Sequence, residues 1–468
     1  MSRKKVDILI ENAFIEAVAA EGKALTHYEG IVVFVEFAVP GDVVDIRVTK
    51  KKKNHWEGFV SRMVKPSENR LEPFCPHFGV CGGCKWQPLP YEMQLTAKQQ
   101  QVYDQLVRIG HLDIPEISPI LGSEKTEYYR NKLEFTFSNR RWEKKPLEEG
   151  ENAKPGLGFH VGKYFDKVLD IEDCHLQADP SNAIRNFIRS YALEKGLSFY
   201  NIRENKGYLR NIIIRSTQTG NIMLIVVISD DDDPAKRERF LDSISKEFPQ
   251  ISSLYYVINS KLNDSISNLQ PALYRGNDAI YEEMEGLHFK IGPKSFYQTN
   301  SRQAYRLYSV TREFAGLTGN EVVYDLYTGT GTIAQFVSGK ASKVIGIEYV
   351  PEAIEDAVLN AANNGITNCE FFAGDMKDIL TADFIGEHGK PDVIILDPPR
   401  AGIHPDVASV ILETAPSRMV YVSCNPASQA RDLAILSQKY TIEAVQPVDM
   451  FPHTQHVENV CKLKLKEK

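Results

Sequence analysis

The feature that most constrains the fold of this chain is an alternation of short apolar strands with helical stretches from residue 296 to the C-terminus. Helical patterns lie between four segments that are typical of buried strands. These strand segments are 322–326, 343–348, 392–397 and 419–423. Parallel strands need a crossover between them, and a helix packed on the sheet usually supplies it. We therefore predict an α/β chain whose residues 296–468 form a doubly wound, Rossmann-like domain.

The rest of the 468-residue chain predicts two further domains. Residues 1–62 contain short alternating strands separated by turn signals, which is typical of a five-stranded oligonucleotide-binding (OB-like) β barrel. Residues 71–295 predict a mixed α+β middle domain that contains a helix over 91–109. Its segment 129–132 is a candidate RNA contact or a purely structural element, and the acidic run 230–234 predicts a loop that starts a helix.

Composition limits where RNA or a membrane could be bound. No apolar run reaches the eighteen residues that a membrane-spanning helix needs, and the start of the chain lacks a secretory apolar region, so we expect a cytoplasmic protein. The net charge of −7 excludes a uniformly basic nucleic-acid binder. Residues 47–70 nevertheless carry eight Lys or Arg against two acids, a local charge of +6, beside Trp56. This ridge is either a solvated hairpin or an RNA contact.

A glycine turn follows the first predicted strand of the C-terminal domain. Residues 325–332 bring Gly329 and the helix start at Thr332 close to a ligand, and Glu348 ends the next strand, placed to accept hydrogen bonds from a ribose. Such a site fits either a dinucleotide or S-adenosylmethionine. The Asp397-Pro398-Pro399 sequence favours the latter, because nucleic-acid methyltransferases place such a loop beside the methyl donor. Asp375 either meets the adenine or caps a helix.

Cys424 follows the predicted strand next to the one that ends at Asp397. Neighbouring parallel strands end at the same edge of a sheet, so Cys424 is expected to face the methyl donor. A thiolate that adds to carbon 6 of uracil makes carbon 5 nucleophilic, and a base must later remove the carbon 5 proton. Glu458 is the candidate base. His453 and His456 have no third ligand at a sensible spacing, so we interpret them as structural or RNA-facing.

Five motifs in order resemble the RNA uracil-5-methyltransferase family, and they cover about the last 175 residues: 295–300, 325–332, 397–402, 423–426 and 449–458. The resemblance implies that Cys424 is the nucleophile and Glu458 the base. It also implies that S-adenosylmethionine is bound by Gln298, Tyr327, Glu348 and Asp397, to which the glycine turn and its surroundings add Gly329, Thr332 and Asp375. The N-terminal barrel is similar to the family's TRAM domain. Thr328 and Thr330 depart from residues that relatives often carry, which should affect packing rather than chemistry.

Seven cysteines without a secretion signal argue against a disulfide framework. Cys75, Cys81 and Cys84 have C-x5-C-x2-C spacing, and Cys174 is the candidate fourth ligand. Four thiolates suit zinc or an iron–sulfur cluster, and the spacing alone leaves both open. The run resembles the cluster motif of the family's 23S ribosomal RNA branch, which implies a [4Fe–4S] cluster of structural role. We interpret Cys369 and Cys461 as packing residues.

The predicted substrate is RNA, and resemblance to the cluster-containing branch favours 23S ribosomal RNA. Transfer RNA is the alternative substrate for the same chemistry. RNA cytosine-5 methylation would require a Pro-Cys pair after the strand that ends at Asp397, where this chain has Asp-Pro-Pro. A non-catalytic RNA-binding assembly factor would not need Cys424 and Glu458. No sequence feature demands a protein partner or more than a monomer.

Overall fold

The computed structural model describes residues 8–145, 148, 151–162, 164–230 and 233–467. Residues 1–7 of the predicted barrel and residues 231–232 of the predicted acidic run lie outside this range. The chain divides into two compact units. The first holds Met1–Thr126, Pro399–Gly402 and Ser423–Cys461, and the second holds Glu127–Pro398, Ile403–Val422 and Lys462–Lys468. Among the described residues, no helix combines the length and apolarity that crossing a membrane requires.

The first unit opens with a six-stranded sheet in the order β1-β5-β6-β4-β3-β2. Its strands are β1 (Ile8–Phe14), β2 (Ala17–Val18), β3 (Ala24–Tyr28), β4 (Ile31–Glu36), β5 (Val43–Lys51) and β6 (His55–Lys65). Five strands were predicted, and the sixth is the two-residue β2, which pairs with β3. Alternate residues of the strands fill one apolar core that includes Trp56, and Lys51 Nζ lies 4.1 Å from the centre of that ring.

A helical stretch lies at the predicted position 91–109. It consists of α1 (Tyr91–Asp104) and a π-helical turn, Gln105–Ile109. The buried residues of α1 are Gln94, Lys98 and Val102. Two of these three side chains are polar, so this helix does not present the apolar stripe usual for a helix packed on a core.

The second unit begins with a seven-stranded sheet in the order β13-β12-β11-β10-β7-β8-β9. Its elements, with the separate hairpin β14–β15, are β7 (Lys132–Ser138), β8 (Gly156–His160), β9 (Val168–Asp170), α2 (Ser181–Glu194), β10 (Leu209–Ser216), β11 (Ile222–Ile228), α3 (Pro234–Glu247), β12 (Ser253–Ile258), β13 (Ala272–Gly276), β14 (Ile280–Met284) and β15 (Leu287–Ile291). Asp233 caps α3 by accepting from Lys236 N at 3.0 Å, so a helix does start after the acidic run.

The second unit continues with the predicted alternation of strands and helices. The elements are α4 (Ser301–Ala315), β16 (Val322–Leu326), α5 (Thr332–Ser338), β17 (Lys343–Glu348), α6 (Pro351–Asn363), β18 (Cys369–Ala373), α7 (Met376–Ile379), α8 (Ala382–His388), β19 (Val393–Leu396), α9 (Pro405–Thr414) and β20 (Arg418–Ser423). The strands pair in parallel in the order β18-β17-β16-β19-β20. The order reverses between β16 and β19, and ligands of such sheets bind at the carboxyl ends of the strands beside that switch point.

The chain ends with α10 (Pro426–Leu436), β21 (Tyr440–Val448) and β22 (Glu458–Leu465). In the strand order, β21 lies beside β22. The strand β22 begins at Glu458, the proposed base. The predicted α/β class with a doubly wound C-terminal region is confirmed.

Candidate active site

The loop after β16 has an unusual backbone. Tyr327, Gly329 and Gly331 all have positive φ angles, 67°, 56° and 76°. A Cβ at Gly331 would lie 2.9 Å from Phe371 Cε1 and 3.0 Å from Ala357 Cβ, so the close packing there requires glycine. A Cβ at Gly329 would meet nothing within 4 Å. The loop therefore turns tightly against the protein at Gly331 and borders open space at Gly329.

Glu348, at the end of β17, holds this loop. Gly329 N donates to Glu348 Oε2 at 3.2 Å, and Val350 N donates to Oε1 at 3.1 Å. Tyr327 N also donates to the Ile347 carbonyl, at 3.0 Å. Each carboxylate oxygen has two lone pairs and accepts one backbone N–H here, so Glu348 keeps acceptor capacity for the two hydroxyls of a ribose. These residues fit a nucleoside at the switch point.

Two carboxyl groups of the second unit have raised pKa values beside this loop. Burial raises the pKa of Asp325, the fourth residue of β16, to about 7. Asp325 Oδ2 accepts from Thr328 Oγ1 at 2.5 Å and from Ala334 N at 3.0 Å, while Oδ1 is buried without a partner. Burial, and then the charge of Asp325, raise the pKa of Asp397 to about 7 as well. A cation bound beside Asp397 would stabilise its ionised form.

The threonine at 328 has a role that the sequence did not reveal. It was expected to affect packing, and its hydroxyl instead donates the short hydrogen bond to the buried Asp325. Thr332, the first residue of α5, is buried, and its Oγ1 lies 3.4 Å from Thr330 Oγ1.

Asp375 and Gln298 lie in the same unit. Asp375 caps the short helix α7, because its Oδ1 accepts from Lys377 N at 3.2 Å and its Oδ2 lies 3.3 Å from Lys377 Nζ. The helix-cap alternative is therefore observed. Gln298 is buried, and its carbonyl accepts from Asn131 Nδ2 at 2.8 Å. Asn131 also donates to Ser301 Oγ at 2.8 Å, which is a structural role for part of the segment 129–132.

Cys424 follows β20 directly and belongs to the first unit. It is half-buried, and Asn425 caps α10 by accepting from Ala427 N at 3.2 Å. Asn425 Nδ2 and Ser428 Oγ each donate to the Arg400 carbonyl at 3.0 Å. The turn that carries Cys424 is therefore tied to the segment Pro399–Gly402 by side-chain hydrogen bonds.

Glu458, the first residue of β22, is buried in the same unit. The segment before it is held by α1 through a fully buried ion pair, in which Lys98 Nζ lies 2.6 Å from Asp449 Oδ1. Tyr91 Oη donates to Asp449 Oδ2 at 2.8 Å, and Lys98 Nζ also donates to the Phe451 carbonyl at 3.0 Å. Burial lowers the pKa of Lys98, and the charge of Asp449 opposes that shift. Lys98 and Tyr91 were missed by sequence reasoning, since nothing local marks a lysine as buried.

The two histidines of this segment have different surroundings. His453 is buried, and its backbone N–H donates to Gln94 Oε1 at 2.9 Å. Burial lowers the pKa of the His453 imidazole to about 4. Its carbonyl accepts from Lys85 N at 2.8 Å and Trp86 N at 3.1 Å. His453 thus joins α1 to the chain just after Cys84. His456 Nδ1 lies 3.2 Å from an Arg400 guanidinium nitrogen.

The predicted metal ligands divide between the units. Cys75, Cys81 and Cys84 are half-buried in a turn-rich segment of the first unit, where Cys81 N donates to the His77 carbonyl at 3.1 Å. Cys174 is buried in the second unit. The part of the chain that the structure describes contains no group of three or more His, Cys, Asp or Glu side chains arranged to hold a metal ion. The predicted four-cysteine site is therefore not observed as an assembled group.

Comparisons with known proteins agree on one class. The family model described as tRNA (Uracil-5-)-methyltransferase matches residues 277–466. An uncharacterized RNA methyltransferase from Bacteroides thetaiotaomicron is 58% identical over 453 residues, which is 96% of this chain and 100% of that protein. One from Bacillus cereus is 37% identical over 472 residues, with 99% and 100% covered.

A solved structure extends the likeness to the whole fold. The Pyrococcus abyssi tRNA (uracil-54, C5)-methyltransferase in complex with S-adenosyl-L-homocysteine is 27% identical. It has a TM-score of 0.73, and the match covers 97% of this chain and 100% of that one. Fold and relatives together define an RNA methyltransferase that uses S-adenosylmethionine. The chain belongs to the RNA uracil-5-methyltransferase family.

Proposed function

We propose that this enzyme methylates carbon 5 of one uridine in 23S ribosomal RNA, with Cys424 as the nucleophile and Glu458 as the base. The observation that carries the proposal is the position of Cys424, which directly follows β20 and precedes the capped start of α10. β20 pairs with β19, whose end is followed by Asp397. Cys424 thus stands at the carboxyl end of a strand, where ligands of such sheets bind, and this position supports its proposed role.

The residues of this chain have separate tasks in the proposed reaction. S-adenosylmethionine, when bound, supplies the methyl group. The Cys424 thiolate forms a bond to carbon 6 of the uracil, and the electron pair of the carbon 5–carbon 6 double bond moves toward oxygen 4, so that carbon 5 can accept the methyl group. Glu458 then takes the proton from carbon 5, the double bond forms again, and the Cys424 thiolate leaves.

The second unit would hold the methyl donor. Glu348 would bind the ribose hydroxyls, and the open space at Gly329 leaves room for the ligand. Asp397 would lie beside the positive sulfonium, and Asp375 would meet the adenine. The proposed set also includes Gln298, Tyr327 and Thr332. The contacts that shape the loop after β16 support the assignment of a ligand to this loop.

The nucleophile is tested with RNA that contains 5-fluorouridine, which blocks the proton removal and traps the covalent complex. We expect a denaturation-resistant adduct with the native enzyme and none with Cys424→Ala. Cys369→Ala is the matched control, because Cys369 is also half-buried and its thiol lies 3.8 Å from the Ala334 carbonyl oxygen, away from the proposed catalytic residues. An adduct formed by Cys424→Ala would refute the assignment.

The base is tested with ordinary uridine RNA. Glu458→Gln keeps the shape of the side chain but cannot take the proton, so the covalent adduct should accumulate. Product formation should fall by about 100- to 10,000-fold, the contribution typical of a general base. Gel shift under denaturing conditions and methyl transfer measure the two quantities. Normal turnover of Glu458→Gln would refute its role as the base.

The substrate is tested by comparing RNAs from a strain that lacks the enzyme. Mass spectrometric mapping before and after incubation with enzyme and methyl donor should reveal one new 5-methyluridine in 23S ribosomal RNA. The resemblance of the run Cys75 to Cys84 to the cluster motif of the ribosomal RNA branch supports this choice. The Pyrococcus abyssi relative is named as a transfer RNA methyltransferase, so methylation of transfer RNA alone would establish that alternative. A 5-methylcytidine product would exclude uracil chemistry.

We also propose that Cys75, Cys81, Cys84 and Cys174 ligate a [4Fe–4S] cluster with a structural role. The buried Arg185 interacts electrostatically with Cys174, so a positive charge lies near the proposed fourth ligand. Anaerobically purified protein should be brown and contain iron and sulfide. Colourless protein that contains zinc would replace the cluster with a zinc site, and protein without metal would refute both. The cytoplasmic location predicted from the sequence stays a prediction.

A further inference from the structure

Two buried amides of the first unit bind each other. Asn459 Nδ2 donates to Gln429 Oε1 at 2.8 Å, and Gln429 Nε2 donates to the Asn459 carbonyl at 3.2 Å. Both residues are fully buried, at 0% exposure. Asn459 Nδ2 also lies 3.3 Å from Cys461 Sγ. Because buried amides lose their hydration, such a pair is retained where its hydrogen bonds fix a particular arrangement.

The pair connects the two segments that carry the proposed catalytic residues. Gln429 lies in the first turns of α10, and its backbone N–H donates to the carbonyl of Asn425, the neighbour of Cys424, at 3.1 Å. Asn459 is the second residue of β22, directly after Glu458. A short chain of hydrogen bonds therefore runs from the turn at Cys424 to the strand at Glu458, entirely within one unit.

The proposed chemistry makes the distance between these segments important. Cys424 bonds to carbon 6, and Glu458 must then reach a hydrogen on the adjacent carbon 5. After the adduct forms, the base ring is fixed to Cys424, so any displacement of β22 relative to α10 moves the carboxylate away from that hydrogen. A misplacement of about 1 Å can slow a step by about 100-fold.

We propose that Gln429 and Asn459 are positioning residues that set the placement of Glu458 relative to Cys424, and that they act on proton removal rather than on adduct formation. This inference rests on the proposed function. It predicts that loss of the amide pair leaves the addition of the thiolate largely intact and makes removal of the carbon 5 proton the slow step.

The decisive variant is the double substitution Gln429→Met with Asn459→Leu. Two apolar side chains of similar size avoid the unpaired buried amide that a single substitution leaves, so folding should be nearly preserved. Adduct formation with 5-fluorouridine RNA should stay within a few-fold of the native rate. Turnover of uridine RNA should fall by about 10- to 100-fold. A primary isotope effect should appear when carbon 5 carries deuterium.

The single variant Gln429→Met serves if the double variant does not fold, because Asn459 Nδ2 then keeps Cys461 Sγ as an acceptor. Gln177→Met is the control. Gln177 is a buried glutamine of the second unit that donates to the Ile214 carbonyl and accepts from Ser181, so its loss removes equivalent hydrogen bonds elsewhere. It should lower stability without changing the isotope effect.

The outcomes separate this inference from the proposed function. Native turnover and an unchanged isotope effect in the double variant would overturn the positioning role. So would a parallel loss of adduct formation and turnover, because the pair would then support the whole unit rather than proton removal. If the native enzyme forms no adduct with 5-fluorouridine RNA, the proposed function itself fails, whatever the variants do.

Discussion

The cofactor loop after β16 and the segment 449–458 before β22 are both held rigidly, but by different means. The loop is fixed by its own backbone, through positive φ angles at Tyr327, Gly329 and Gly331 and hydrogen bonds to the neighbouring strand β17. The segment is fixed by side chains of α1, which lies about 350 residues earlier and contributes Lys98 and Tyr91.

In the proposed function the two regions would serve different chemistry, and the difference agrees with that division. A nucleoside is recognised by backbone N–H groups and one carboxylate, so a glycine turn between two strands suffices. A general base must be held at one place relative to a nucleophile, and a buried ion pair with satisfied hydrogen bonds provides such a fixed point. The comparison predicts that the two regions respond differently to substitution.

The largest effect is expected for Lys98→Met, which leaves the Asp449 carboxylate buried without its ion-pair partner. We expect a loss of about 3–5 kcal/mol in the free energy of unfolding, together with loss of methyl transfer. Urea unfolding followed by tryptophan fluorescence measures the free energy of unfolding. Arg108→Met is the control, because the Arg108 side chain is 74% exposed in its pair with Asp104, and such pairs contribute at most about 1 kcal/mol. Equal effects of the two substitutions would contradict the role of Lys98.

The next largest effect distinguishes two glycines of the cofactor loop. Gly331→Ala combines a positive φ with contacts of 2.9 to 3.0 Å and should cost about 1–3 kcal/mol of stability. Gly329→Ala has the positive φ but no contact within 4 Å, so its stability loss should be smaller, while its new methyl group faces the open space. Gly329→Ala should therefore weaken binding of S-adenosylhomocysteine more than it weakens folding. Calorimetric titration and thermal unfolding measure both. The reverse order would show that the ligand does not lie beside Gly329.

The same contrast explains what could be predicted from the sequence. The cofactor loop and Glu348 lie close together in the sequence, nineteen residues apart from Gly329 to Glu348, so both could be identified. The alternation of strands and helices then predicted that their two strands lie in one parallel sheet. The helix α1 could be placed, but its polar buried face could not, because a buried lysine is recognisable only once Asp449 lies against it. The Gln429–Asn459 pair was missed for the same reason. The sequence showed that Thr328 departs from the residue that relatives often carry there. Its hydrogen bond to Asp325 could be found only in the structure.

A smaller effect concerns the pH dependence of donor binding. The pKa of Asp397 is raised to about 7, so the free enzyme carries a proton there below that pH. In the proposed site the positive sulfonium lies beside Asp397 and would favour the ionised form, so binding would release that proton. Affinity for S-adenosylmethionine should rise by up to about 10-fold per pH unit between pH 5 and 7 and then level off. S-adenosylhomocysteine, whose sulfur is neutral, should show a flat profile, as should Asp397→Asn with either ligand. Parallel profiles for the two ligands would place the sulfonium away from Asp397.

The smallest effect tests whether Asp375 does more than cap α7. Asp375→Ser keeps an acceptor for Lys377 N, because serine is as good a helix N-cap as aspartate, so stability should change by less than about 0.5 kcal/mol. The carboxylate that would meet the adenine is lost, and donor affinity should fall by about 5-fold, the value of one hydrogen bond of roughly 1 kcal/mol. Asp378→Ser, on the same short helix, is the control and should leave donor affinity unchanged. Unchanged donor affinity in Asp375→Ser would show that Asp375 serves only as a helix cap. Recognition of the donor near the cofactor loop would then depend on the loop backbone and Glu348.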